Sequence, residues 1–247
     1  MIPSRQRLPH LSATAPLAAI LPVGSFEQHG PHLPMTTDTL IAGAVAAAIH
    51  DALPADMAAA TLVLPPLPVS CSQEHAGFPG AVWIGARALG GFVEDLAASL
   101  RHQGIGVFAI VNAHGGNYVL ANLVQELNLT AHPRTLLLPG RDHWAEALQA
   151  AGITRSLSED MHAGEIETSI LLAAAPDAVA LPLPAADGAR ERPRLTELGM
   201  AAYTRSGVIG DPSAATAEKG HALLAALGAT GATEIVRAAV MVAGDDS

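Results

Sequence analysis

The chain has 247 residues, half of them apolar and 15% charged, with a formal net charge of -10 from 13 basic and 23 acidic side chains. This composition excludes a disordered chain or a coiled coil, and an acidic balance without any basic run speaks against nucleic acid or an anionic membrane as partner. One cysteine, Cys71, allows no internal disulfide, and the first residues lack an apolar signal core, so the expected location is the cytoplasm. No apolar run reaches about 18 residues without Pro, Gly or a charge, and no membrane span is expected.

Apolar runs of strand length alternate with helical patterns, the signature of βαβ units around a mostly parallel sheet. Residues 19–23 read as a buried strand, the following polar stretch as a long loop, and 38–50 as a helix capped by Asp38 or a neighbouring Thr. A second strand at 61–64 runs into PPLPVS and the loop CSQEHAGFPG. An amphipathic helix at about 86–103 and a strand at 107–111 follow, then the loop NAHGGN opens a helix ending near 128. A fourth strand at 135–138, a helix at 142–150, the loop EDMHAGE and a helix at 167–174 complete the alternation. Residues 180–194 read as a surface excursion and 214–242 as one or two closing helices. No repeat or second domain is visible, so 1–247 reads as one domain. Ligands of open α/β sheets gather outside the carboxyl ends of the strands, so the polar loops are expected to face one crevice.

Four loops carry residues with chemistry. In an extended segment Glu27 and His29 point the same way, and Asp38 arrives from the start of the next helix; carboxylate with imidazole suits Zn, Mn or Fe. His114 adds an imidazole from the NAHGGN loop, where Gly115 and Gly116 let backbone approach a ligand and the helix start near Asn117 offers N–H groups to an anion. His162 and Glu165 stand three apart, so a helical turn puts them on one face, with Glu167 pointing elsewhere to support a neighbour. Glu74 and His75 are adjacent and, if extended, point to opposite sides and make poor joint ligands, which fits a wall of the substrate site or a place behind the ligands in support of them. Cys71 has no helix start or cation beside it in sequence to make it a nucleophile. So many His and carboxylate groups exceed the needs of one ion, and a two-metal site that activates water and polarises a carbonyl accounts for them. A carboxylate or an imidazole just outside the metals would move the proton to a leaving nitrogen, and His162 and Glu165 are the catalytic candidates.

The ordered segments GSFEQHGPHLPMTTDT, SQEHAGFPG, NAHGGN, DMHAGEIETS and GVIGDPSAATAEKG resemble the motif set of the creatininase (creatinine amidohydrolase) superfamily. The resemblance implies an α/β/α sandwich, often hexameric, with a dinuclear Zn, Mn or Fe site that hydrolyses C–N bonds of cyclic amides, formamides or peptides. It implies that Glu27 and His114 bind one metal, His29 the other, with Asp38 bridging and His162 in the catalytic loop. Creatininase proper has a ligand glutamate where this chain has Gly116, and Glu165 is the expected replacement, which makes creatinine itself a poor substrate candidate. Similar motifs occur in formamide hydrolases of flavin and deazaflavin pathways and in the peptidase of the mycofactocin precursor. The expectation is therefore a hydrolase of a small molecule or short peptide holding two divalent ions, Zn first, with a non-catalytic family member as the alternative. A nucleotide-binding protein is disfavoured, because both G-x-G-x-x-G and a P-loop lysine are missing.

Overall fold

The computed structural model describes residues 15–129 and 133–245. Four strands, β1 (Ala18–Val23), β2 (Thr61–Val63), β3 (Val107–Asn112) and β4 (Arg134–Leu138), form an all-parallel sheet in the order β2-β1-β3-β4. β1 is buried throughout and β3 almost so, which explains why both read as continuous apolar runs rather than as alternations. Pro22 survives in the centre because its carbonyl faces the β2 side, where β2 has already ended and Leu67 N–H donates to it at 2.9 Å.

Helices cover both faces. On one side lie α3 (Ala86–His102) and α4 (Val119–Leu127). Leu89, Val93, Ala97 and Leu100 form the buried stripe of α3 at helical spacing, and Leu120 and Leu123 supply that of α4. On the other side pack α1 (Thr37–Ala52), α5 (Arg141–Ala150), α6 (Glu165–Ala174) and the 29-residue α8 (Ala217–Asp245). Short helices α2 (Ala55–Ala59) and α7 (Leu195–Leu198) lie in connections. The three-layer α/β/α expectation therefore holds. The closing segment is one helix, long and apolar enough by composition to cross a membrane, but its Leu223, Leu227 and Ile235 are buried and it packs on α1, α5 and α6 as a core helix. Its contact with α6 is close enough that a Cβ on Gly220 would sit 1.9 Å from the Ser169 carbonyl oxygen.

Two boundaries differ from the sequence reading in ways that matter for the site. Asp38 lies inside α1, after the uncapped Thr36, and its carboxylate turns away from the helix start toward two histidines. α6 begins at Glu165, two residues earlier than the pattern indicates. Asp160 caps it by accepting the N–H groups of Glu165 and Ile166, both at 2.8 Å. Ala163 precedes it at a positive φ of 52°, so the chain bends between His162 and the helix instead of carrying both on one helical face.

Candidate metal centre

The loops after β1, β2 and β3 and the bend before α6 converge at the carboxyl ends of the strands, as the polar-loop pattern predicts. Glu27, His29, Asp38 and His114 are all buried there. Each side chain is aimed by a local bond. Ser25 Oγ donates to Glu27 Oε2 at 2.8 Å, and the Glu27 carbonyl lies 3.1 Å from His29 Nδ1, which leaves His29 Nε2 facing inward. The start of α1 offers Asp38 the positive end of a helix dipole.

Asp38 faces two groups at once. Its Oδ1 lies 3.0 Å from His29 Nε2, which in turn stands 3.9 Å from Glu167 Oε2. Its Oδ2 lies 3.2 Å from His114 Nδ1, and Glu27 Oε1 approaches that same nitrogen at 3.2 Å. Glu27 Oε1 and Asp38 Oδ2 are buried and accept no hydrogen bond, although nitrogens lie close by. Buried carboxylate oxygens without donors are costly unless a cation satisfies them. Donors held about 2.1 Å from one ion lie roughly 3.0 to 3.4 Å apart, which matches the spacings around Asp38 and His114, while the 3.9 Å between His29 and Glu167 is wider. Glu27, Asp38 and His114 form one group able to hold an ion, and His29, Asp38 and Glu167 another, with Asp38 common to both.

The electrostatics follow from burial and proximity. Burial pulls His29 down, but Asp38, Glu167 and Glu27 outweigh it and lift the imidazole to about 9. Asp38, despite burial, is held far below the usual carboxylate range by His29 and His114. Burial raises Glu167 to about 7, with His29 opposing and Asp38 adding to the rise. Burial, reinforced by His29 and His75, keeps His162 well below its ordinary value and therefore neutral at neutral pH. The Gln28 carbonyl oxygen lies 2.6 Å from His162 Nε2, so that nitrogen carries the hydrogen and donates it, leaving the Nδ1 lone pair on the side of Glu27 Oε1, 3.8 Å away.

Glu165 is a correction to the sequence reading. Its buried carboxylate takes the Lys219 ammonium at 2.6 Å and the Arg155 guanidinium at 3.0 Å, tying α6 to the start of α8 and to the loop before Asp160. Starting α6 at Glu165 turns Glu167 toward His29, and Glu167 also accepts the Ala163 N–H at 2.6 Å. Glu167, expected to support a neighbour, and not Glu165, therefore stands beside His29 and Asp38.

Glu74 and His75 sit in a tight 3-10 turn, Gln73–His75, not an extended strand, so adjacency does not separate them. His75 Nε2 lies 3.0 Å from Glu27 Oε1 and Glu74 Oε1 lies 3.0 Å from His114 Nε2. Gly116 makes room for this: a Cβ there would stand 2.0 Å from Glu74 Oε1. Gly115 and Gly116 line the cleft together with Glu74, His75 and His162. Asn117 is a second correction, because its amide accepts the Cys71 N–H at 3.0 Å and donates to Asn112 at 2.9 Å, bracing two loops beneath the cleft. The helix start is correspondingly later, at Val119. Gln28, which the sequence reading passed over, places its amide nitrogen 3.2 Å from His75 Nδ1 and 3.3 Å from the Gly207 carbonyl, linking the β1 loop to the GVIGDPS segment. Alternating EQH shows the outward turn of Gln28 but not what it meets.

The family described as creatininase, creatinine amidohydrolase, matches residues 7–235. The chain is 37% identical over 216 residues to the mycofactocin precursor peptide peptidase of Mycolicibacterium smegmatis, covering 83% of this chain and 79% of that protein. It is 30% identical over 181 residues to the creatinine amidohydrolase of Pseudomonas putida, 66% of each. A crystal structure of creatinine amidohydrolase superposes with a TM-score of 0.78 at 24% identity over 94% of this chain and 95% of that one, and similar folds are recorded as a Mn creatininase and a Zn-Zn creatininase mutant. The convergent buried donors and the match along almost its whole length establish that the chain belongs to the creatininase family, hydrolases acting on carbon–nitrogen bonds.

Proposed function

We propose that this chain is an amidohydrolase dependent on two divalent metal ions, Zn first and Mn or Fe as alternatives, that cleaves an amide bond in a short peptide. The observation that carries the reading is the shared Asp38, with one oxygen toward His29 and Glu167 and the other toward Glu27 and His114. The identity to precursor peptide peptidases favours a peptide over a cyclic amide. Divalent ions at these two groups would acidify a water toward neutral pH and polarise the carbonyl under attack.

The chain's own residues then handle orientation and protons. Ser25 and the Glu27 carbonyl hold Glu27 and His29 in place. His162 starts neutral with its Nδ1 lone pair toward the centre, so it accepts a proton from the attacking water and returns it to the leaving nitrogen. Glu74 steadies the His114 ring from the far side, a role that outer carboxylates commonly play for ligand imidazoles. Association into a homo-oligomer of hexamer type belongs to the same reading and is supported by exposed Val82, Trp83 and Phe92, and a cytoplasmic location is part of the proposal.

Elemental analysis after reconstitution, with hydrolysis of short peptides, formamides and lactams followed by released amine, tests the proposal. About two ions per chain, loss of turnover with a chelator and recovery on adding Zn or Mn are expected. Asp38→Ala should lose both ions; two tightly held ions in that variant would refute the bridging role.

A further inference from the structure

The cleft beside the donor groups has two lobes. A polar lobe of about 200 Å³ is walled by Glu74, His75, Gly116 and Tyr118. The other lobe, about 280 Å³, is apolar and lies between Ile41, Leu138, Trp144, Leu157 and Ile170. His114, Gly115, Met161 and Glu167 border both. Each lobe reaches the surface, since Tyr118 is 61% and Leu157 37% exposed. The polar lobe is smaller than the roughly 300 Å³ at which small-molecule sites usually begin and the apolar lobe only reaches that lower bound, so an extended ligand needs both.

Gly115 stands where the lobes meet, and no protein atom explains its being glycine. A Cβ built there meets nothing within 4 Å, and its φ lies outside the left-handed region. Gly116, next to it, is the opposite case, pressed by Glu74 and His114. Gly115 lines both lobes, and the space beside its Cα is open.

We propose that Gly115 is a specificity residue, keeping the two lobes one continuous channel across the donor groups, so that an extended peptide lies through it with a large apolar side chain next to the cleaved bond in the Trp144 lobe. The inference rests on the hydrolase reading for the bond but not for the channel. The apolar lobe has two carboxylates in its wall, but Asp160 already accepts the backbone N–H groups of Glu165, Ile166 and Asp211, and Glu167 is engaged by His29 and the Ala163 N–H, which favours Leu or Tyr over Lys, while the main chain continuing past Gly115 meets Glu74 as an acceptor for its N–H groups. Burying such a side chain is worth about 10- to 100-fold in affinity over Gly.

The test is titration calorimetry of the Zn-loaded protein with tripeptides Ala-X-Ala, X being Gly, Leu, Tyr or Lys, each carrying a reduced, uncleavable bond before or after X. Leu and Tyr peptides should bind about 10- to 100-fold more tightly than Gly or Lys. Gly115→Phe should weaken the Leu peptide at least 10-fold with metal content and melting temperature unchanged. Leu157→Asp, at a half-exposed wall where folding is safe, should erase the preference for Leu over Lys. Equal binding of all four peptides, or a Leu peptide bound by Gly115→Phe as by the wild type, would overturn the proposal. Binding that depends on Gly115 without hydrolysis of the unmodified peptides would instead sink the peptide-cleaving reading and leave the channel standing.

Discussion

Replacing Gly116 by Ala puts a methyl group where the structure has a carboxylate. The new Cβ would lie 2.0 Å from Glu74 Oε1 and 2.4 Å from His114 Nε2, against about 3.4 Å for ordinary contact, so something moves by more than 1 Å. His114 is 5% exposed and flanked by Glu27 and Asp38, whereas Glu74 presents the end of a flexible side chain, so Glu74 yields. Gly116 is outside the left-handed region, and the backbone accepts Ala without strain. The overpacking costs about 1 to 3 kcal/mol, and loss of the carboxylate behind a ligand imidazole costs about 10- to 100-fold in metal affinity. Competition with a chromophoric chelator reads the affinity, and thermal melting in excess chelator reads the packing cost. Adding Glu74→Ala to Gly116→Ala removes the clash with the carboxylate but neither the 2.4 Å approach to His114 Nε2 nor the lost partner, so it should recover part of the melting temperature while affinity stays low. Wild-type affinity and stability in Gly116→Ala would refute the assignment of Gly116 as the space that Glu74 needs.

Three further outcomes follow from the same geometry. His162→Ala should keep about two ions per chain by elemental analysis while lowering kcat by roughly 10² to 10⁴, and ion loss would make His162 a ligand instead. In chelator, stability should fall as pH rises: His29, lifted from 6.5 to about 9, contributes fully below 6.5 and loses its contribution through 9, on the order of 3 kcal/mol, while Glu167, raised from 4.5 to about 7, acts with the same sign at lower pH. Urea midpoints at pH 6.5 and 9 measure this, and an unchanged or rising midpoint contradicts it. Glu165→Gln breaks a pair whose cations are 28% and 39% exposed, so after solvent screening about 1 to 2 kcal/mol and a few degrees of melting temperature should be lost, with metal content unchanged.

The alternation of apolar runs and helical patterns carries the fold because a parallel sheet buried on both faces leaves continuous apolar strands, and all four lie within a residue or so of where β-rich runs fall. That Glu27, His29 and Asp38 come together is equally legible, because the extended spacing of the first two and the helix start that carries the third are local geometry. What the sequence hides is the third dimension of the HAGE segment. The spacing of His162 and Glu165 suggests a shared helical face, but the positive φ of Ala163 and the cap from Asp160 rotate α6 so that Glu165 meets Lys219, 54 residues away, and Glu167 meets His29. The opposite directions expected of Glu74 and His75 fail for a similar reason, since a 3-10 turn sends adjacent side chains into one cleft where a strand would part them, although both line the cleft.

Anomalous diffraction from a crystal loaded with Zn or Mn would locate the ions directly. Two peaks flanking Asp38 are expected, one against Glu27 and His114 and the other against His29 and Glu167, with none near Glu165. A single peak, or one coordinated by Glu165, would contradict the dinuclear centre built on Asp38.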